Sequence, residues 1–564
     1  MLLRLVTRFL GCLALFVFLL ASPLARAQSW TTIPISFYPG TMLLMTDGTV
    51  LVHYVSEQPD GTLYSSGVWM RLTPDAFGNY TDGTWSQLPT MPSPYAPRFH
   101  ATAVLPDGRV LVEGGEYNTD LTQVETTMGA IYDPVSNAWT SVNPPSSSDY
   151  PNIGDAQSVV LPNGTFMLGD CCGPFEALFD ASNLTWPTIG NKSTSNAEEG
   201  WVLLPNGKVL TVDLGSADGT TSELYDPSTG QWSATGTIPV QLEDTRCDET
   251  GPMVLQRNGT VFAVGGAGFT ATYAPSSGQW TEGPFISGDY FDDDGPATLL
   301  PDGNVFFQVS YFPGTGAGSC YGNGSEFFEW NGSTLVQEPG PPDEPDDAPS
   351  YEGRMLMLPT GQVLYDDAYY DNNENQDKNL FLYTPSGTYQ ASWQPQITSV
   401  PSTLYTNTVN NSISGIQFNG QSQGSMYGDD EQMAENFPLV YIKNISTGHI
   451  FYCRTHNFST MGVATGSTVV SAQFDIPGNA ETGASDIVVV ADGIPSPPVS
   501  VDVEYGAGQQ NVTVSPTSLS MYSRNGSSGG GTATLTNNGP GTLGINGVLG
   551  GWRLLLTFLD YLFE

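Results

Sequence analysis

The chain has 564 residues and a formal net charge of −41, from 57 Asp and Glu against 16 Lys and Arg, although only 13% of its residues are charged. A chain this acidic lacks the basic patch needed to displace counterions from nucleic acid or to dock on anionic membranes. A hydrophobic share of 39%, with Gly 64 and Pro 42, excludes wholesale disorder and describes a glycine-punctuated β protein of several domains.

In chain order, residues 1–27 read as a signal peptide. Arg4 and Arg8 form the positive start, Phe9 to Leu20 the apolar run, and Ala25-Arg26-Ala27 the cleavage site. The apolar run is short for a bilayer span, so the mature chain is expected in the extracellular space or periplasm, without membrane insertion. Cys171, Cys172, Cys247, Cys320 and Cys453 remain after cleavage. Their odd number allows at most two disulfides and leaves one thiol, with connectivity open.

Residues 28–396 carry a repeat. Seven segments share the pattern of an apolar run, a turn ending in glycine, and a second apolar run. They include MLLMTDGTVLVHY, TAVLPDGRVLVEGG and LMLPTGQVLYDD, and their glycines are Gly48, Gly108, Gly164, Gly207, Gly259, Gly303 and Gly361. Asp-Gly and Asn-Gly between aliphatic runs predict hairpins, because glycine accepts φ > 0 without steric cost. A second hairpin trails most copies, as in YDPVSNAW to Trp139, FDASNLTW to Trp186, YDPSTGQW to Trp232 and YAPSSGQW to Trp280. The first copy has only Trp85, and the last is read as YTPSGTYQASW, reaching Trp393. Two hairpins per copy at a period near ~50 residues predict a seven-bladed kelch-type β-propeller, with the repeat aromatics as packing residues.

Residues 397–505 contain alternating strands such as FPLVYIKN and TVVSAQFDIP, the spacing of an immunoglobulin-like β-sandwich. Residues 506–564 start like another sandwich but are too few to complete one, and read as a partial sandwich or disordered tail.

A kelch propeller followed by an early-set immunoglobulin-like domain resembles the galactose oxidase family of secreted copper radical oxidases. The resemblance rests on RFHATAVLPDGRV, SYEGRMLMLPTGQV and VYIKNISTGHIFYCRTHNFS and covers roughly residues 30 to 505. It implies copper on the propeller axis, held by two tyrosines and two histidines, with one tyrosine joined to a cysteine. Nine positions before a turn glycine, where the family keeps its cysteine, cross-linked tyrosine and one histidine, this chain has Pro39, Phe99 and Glu352. Tyr351 matches the second tyrosine, and Thr455-His456 the Thr-His pair of the last domain. Phenylalanine cannot ligate copper, and carboxylates suit it less well than imidazole, so copper radical chemistry is not expected.

The same register in the other blades gives Asp155, Glu198, Thr250 (after Asp248 and Glu249) and Asp294 (after Asp292 and Asp293). Asp155, Glu198, Glu249, Asp294 and Glu352 therefore read as an axial acidic ring whose hard oxygens would suit calcium. Two bland readings stand beside it: solvated turn-capping acids, or acids neutralised by Arg98, Arg246 and Arg354 at the same rim. Tyr351, Glu352 and His456 are the candidate catalytic residues, and the run YGDDEQMAE around Asp429 and Asp430 is read as a solvated loop. The expected function is binding of a carbohydrate or surface ligand at the axial face, directly or through a divalent cation. The alternatives are a galactose oxidase-like oxidoreductase and a carboxylate-dependent carbohydrate-active enzyme.

Overall fold

A computed structural model describes residues 28–506, except 58–62, 121, 146–149, 172, 197–198, 216–218, 247, 289, 312–321, 323, 343–348, 368–377, 424–425 and 428–435. It also describes 512–515 and 534–537, two strands that pair antiparallel. The expected signal peptide and most of the tail lie outside the described residues.

The seven turn glycines all adopt positive φ, from 72° at Gly48 to 95° at Gly303. In each turn the glycine N–H donates to the carbonyl three residues back, as Gly108 does to Leu105 at 2.8 Å. In all but the last, an Asp or Asn before the glycine receives the N–H after it, as Asp107 does from Arg109 at 3.0 Å. These hairpins join the inner two strands of seven antiparallel blades, I to VII, packed around an axis. The inner strands are Tyr38–Leu44, Ala101–Val104, Ser158–Val160, Trp201–Leu203, Met253–Leu255, Pro296–Leu299 and Gly353–Met357. Their side chains are almost wholly buried, so the hydrophobic effect holds neighbouring blades together through three large apolar clusters around the ring.

The repeat tryptophans pack as expected. Trp139, Trp232 and Trp280 lie directly across from Tyr132, Tyr225 and Tyr273, with ring centroids 5.1 to 5.4 Å apart. The last copy differs from the sequence reading. Trp393 is not on an outer strand; it ends a short 3-10 helix, Ala391–Trp393. The outer strand of blade VII is instead Ser29–Pro34, from the opposite end of the propeller, paired with Asn379–Thr384. Trp30 takes the tryptophan position, 4.9 Å from Tyr383 and 5.5 Å from Phe327. First and last strands thereby share a blade, and the ring has no open sheet edge at the join.

Strands from Gln396–Ser399 to Val499–Glu504 form a curled, sandwich-like sheet over its own core, including Ile413, Phe418, Ile442, Phe474 and Val489. This sheet covers the turn face of the propeller. The backbone N–H groups of Thr455, Asn457 and Met461 donate to the carbonyls of Thr46, Pro106 and Pro162 at 3.0, 2.7 and 2.9 Å. Gly48 is confined here twice over: a β-carbon on it would lie 2.5 Å from the Tyr452 ring.

One segment of this domain enters the propeller. Gln421 and Gln423 donate to the carbonyls of Gln256 and Val160 near the turn ends of blades V and III. Met426–Tyr427 then pairs with the start of blade VI's inner strand, Tyr427 opposite Pro296. The direction is from the covered face toward the open one. Part of the stretch read as a solvated loop is therefore a strand added to an inner blade edge, and Asp429 and Asp430 lie outside the described residues. Among the described residues no helix is long and apolar enough to cross a membrane.

Candidate functional site: the axial mouth

Each inner strand runs from the open mouth to the covered turn face. Phe99, Asp155, Thr250, Asp294 and Glu352 stand just before their inner strands, so the nine-back register lies at the mouth. Glu198 falls outside the described residues.

Blades II and VII build the best-defined part of the mouth. Pro97–Arg98 pairs with Tyr117–Asn118, and the Phe99 carbonyl accepts the Glu116 N–H at 3.0 Å, which fixes Phe99 at a φ of 49°. A 3-10 turn, Ser350–Glu352, faces it from blade VII. Nη2 of Arg98 donates to both carboxylate oxygens of Glu352 at 2.6 Å. Burial alone would lower the Arg98 pKa, and Glu352 more than reverses this, so the guanidinium keeps its charge. The guanidiniums of Arg98 and Arg354 lie 4.7 and 5.7 Å from the centre of the Phe99 ring, within cation–π range. The rings of Tyr351 and Tyr117 stand 6.0 and 6.1 Å from it. Nη1 of Arg354 donates to the carbonyls of Tyr351 and Gly353 at 2.7 and 2.9 Å, locking the turn. Phe99, Tyr117, Tyr351 and Arg98 are each half-buried. Burial, then Glu116, pushes the Tyr117 hydroxyl up to about 12, so it is a neutral donor.

Blades V and VI form a different arc. Asp292 and Asp293 are fully buried, and neither oxygen of Asp293 has a hydrogen-bond partner. Burial, then Asp244, Asp294 and Asp292, pushes Asp293 well above the usual carboxylate range. Arg246 offsets part of that rise, but its fork is held by Asp244, with Nε at 2.8 Å. Asp294 sits at a φ of 54°, its N–H donating to the Thr250 carbonyl at 3.2 Å. Glu249 is buried, and its carbonyl receives the Asp244 N–H.

Of the five acids expected to chelate one cation, the four described are not gathered into one group. Glu352 is held by Arg98, Glu249 and Asp294 belong to the V–VI arc, and Asp155 stands with Glu125, close enough to Tyr117 to act on its hydroxyl. Among the described residues only Glu125, Asp155 and Cys171 place three ligand-type atoms within 4.8 Å, and Cys171 is in a disulfide. The neighbour of Glu198, Glu199, is fully buried against Lys192, which also reaches Asp213 and Glu223 at 3.5 and 3.4 Å. Internal neutralisation, one of the bland readings, describes blades IV and VII; on the V–VI arc it extends only to the Arg246–Asp244 pair.

His456 does not reach the mouth. It ends the strand Ile450–His456, whose next neighbours are tied to Thr46 and Pro106 on the covered face, and its Nε2 is bonded to Asp475 at 2.9 Å. The segment that does ascend, ending at Met426–Tyr427, carries no histidine or proline-glycine signal that would mark it in the sequence. Sequence reasoning includes Arg98 only as a neutraliser and misses Tyr117, whose strand is two residues long.

The fold and mouth define a seven-bladed propeller with a curled-sheet domain and an aromatic, ion-paired axial cup. No family model matches the chain, and no curated protein matches it. Among solved structures it is similar to a fungal alcohol oxidase of the AA5 family in complex with copper, at 13% identity, covering 85% of this chain and 99% of that one, with a TM-score of 0.47. It is also similar to Kuenenia stuttgartiensis hydrazine synthase, at 14% identity, covering 47% and 72%, with a TM-score of 0.33. The chemistry of the mouth is decided by its own residues.

Those residues do not fit a mononuclear copper. The chain has four histidines, and each is hydrogen-bonded to another group of the protein. His53 is bonded to the Ser66 carbonyl at 2.6 Å, His100 to Thr102 and Thr41, His449 to Glu481, and His456 to Asp475. Phe99 offers no donor atom, and Glu352 is committed to Arg98.

Proposed function

We propose that this is a secreted binding protein whose axial mouth takes a carbohydrate without redox chemistry. The observation that supports it is the half-buried Phe99, flanked by Tyr117 and Tyr351 and clasped by the Arg98–Glu352 and Arg354 frame. Aromatic faces pack against the C–H faces of a sugar, and the forked Arg–Glu pair presents both donors and acceptors to hydroxyls. The ion pair also preorganises the cup, so little side-chain freedom is lost on binding.

Titration calorimetry of the full secreted chain against a panel of neutral sugars and oligosaccharides tests this, with and without calcium. At least one sugar is expected to bind, and Phe99→Ala to weaken it roughly 10-fold or more, the scale of losing one aromatic anchor. Hydrogen peroxide released from alcohols by the copper-treated protein, or equal binding by Phe99→Ala, would refute the reading.

A second reading has one observation behind it. Carboxylate oxygens of Glu125 and Asp155 come within 4.8 Å of each other, and a pair of carboxyl groups is what glycoside hydrolysis uses. Glycoside hydrolysis lost in both Glu125→Gln and Asp155→Asn would support it; no hydrolysis by the wild type would remove it.

A further inference from the structure

The covered face holds a second opening, remote from the mouth. Between the inner turn of blade V and the curled-sheet domain lies a crevice of about 70 Å³, lined in part by Arg257, Trp393, Gln417, Asn419, Gln421 and Thr465. Arg257 enters from the turn closed by Gly259, whose N–H donates to the Gln256 carbonyl. Its guanidinium lies over the Trp393 ring, 5.3 Å from the centroid. Nε and Nη2 of Arg257 are buried with no hydrogen-bond partner, and so is the hydroxyl of Thr465.

Nε–H and Nη2–H leave the same edge of the guanidinium as two parallel donors. A buried donor left unpaired costs about 1–3 kcal/mol, more when charged, so an unmatched pair calls for an acceptor. The crevice does not supply one. Its amides turn to the main chain: Gln417, Asn419 and Gln421 donate to the carbonyls of Gln394, Thr460 and Gln256 at 3.2, 3.1 and 3.0 Å. The nearest acid, Asp492, receives the N–H groups of Gln421 and Ser422 at 2.6 and 3.2 Å, and no ion pair links it to Arg257. It offsets part of the Arg257 charge at a distance, so a single negative charge is the natural complement.

We propose that this crevice binds the carboxylate of a small acidic ligand. Its two oxygens meet Nε and Nη2 of Arg257 in a bidentate fork, Thr465 donates a third hydrogen bond, and the Trp393 wall covers the adjoining carbon skeleton. A carboxylate is planar like the guanidinium edge, which makes the fork linear. The volume admits the acidic end of a ligand and not a polymer, so a sugar acid or a peptide C-terminus would enter end-on. The site is independent of the mouth, and its failure would leave the sugar-binding reading untouched.

The test is titration calorimetry with thermal melting of the full secreted chain at constant ionic strength. The probes are glucuronate and a short peptide with a free C-terminus, set against glucose, the amidated peptide and sulfate. At least one carboxylate is expected to bind and raise Tm, while the neutral probes do nothing; whichever acid binds more tightly names the source. Arg257→Lys keeps the charge but loses the fork, and is expected to weaken binding roughly 10- to 100-fold with an unchanged ligand-free melt. Should that variant not fold, Thr465→Val is expected to weaken binding a few-fold while leaving selectivity for carboxylates. No binding by any carboxylate, sulfate binding as tightly as either acid, or wild-type affinity in Arg257→Lys or Thr465→Val would overturn the assignment.

Discussion

Two parts of the propeller handle the same chemical problem in opposite ways. In blades IV and VII, acids near the mouth are matched by cations: Glu199 by Lys192, and Glu352 by Arg98. In the V–VI arc, the arginine that faces Asp293 is already held by Asp244, and neither carboxylate oxygen of Asp293 has a hydrogen-bond partner. A buried carboxylate without a cation keeps a proton instead. The 57 Asp and Glu are thus not spread over a uniform surface: some are matched by Lys and Arg, which the net charge of −41 already counts, and some keep a proton.

The largest effect is expected from Lys192→Met. Removing a fully buried cation leaves Glu199, Asp213 and Glu223 facing one another, and loss of one partner of a buried pair costs about 3–5 kcal/mol. Chemical denaturation would measure it; a loss below about 1 kcal/mol would show that protonation alone can serve that site.

The pH dependence comes next. Glu176 is pushed up to about 8 and Asp170 to about 6, mainly by burial, and Asp292 and Asp293 are also raised well above the usual carboxylate range by the same cause. Acids raised in the folded state hold protons that the unfolded chain has released. Their stabilisation is complete below the unfolded carboxylate pKa and is lost as pH climbs toward the folded values. Calorimetric Tm should therefore fall between about pH 5 and 8, each group adding a slope of up to about 1.4 kcal/mol per pH unit. Asp293→Asn should flatten that slope, and a melt independent of pH over this window would contradict the raised values. In the other direction, Asp226 is lowered to about 2, chiefly by hydrogen bonds from Ser228 and Lys208, so its contribution disappears only in stronger acid.

The smallest effect is expected from Arg246→Gln. Its side chain is 35% exposed, so its pairing with Asp244 is screened and worth at most about 1 kcal/mol. A loss several times greater would mean that Arg246 also compensates Asp293.

The blades were legible because each hairpin is local. A glycine at φ near 80° and an aspartate bonding two residues ahead leave a pattern within a dozen residues, and the tyrosine–tryptophan pairs repeat it on the outer strands. What escaped was long-range. Ser29 pairs with Thr384, Pro296 with Tyr427, and Arg98 with Glu352 across 254 positions. No periodicity records such partners. The nine-back count placed acids at the mouth end, yet whether a carboxylate is paired depends on side chains from other blades. His456 shows the danger of extending a motif without its surroundings: the Thr-His pair is present, but its strand is anchored to the opposite face.

Blade VII ties together the beginning and end of the propeller. When the chain emerges in order, Trp30 is made well before its pocket of Phe327, Tyr365 and Tyr383. For most of synthesis, then, an early strand must wait unpaired. The ring cannot lock until the residues through Thr384 exist, so its closure is a check on the completeness of the propeller chain.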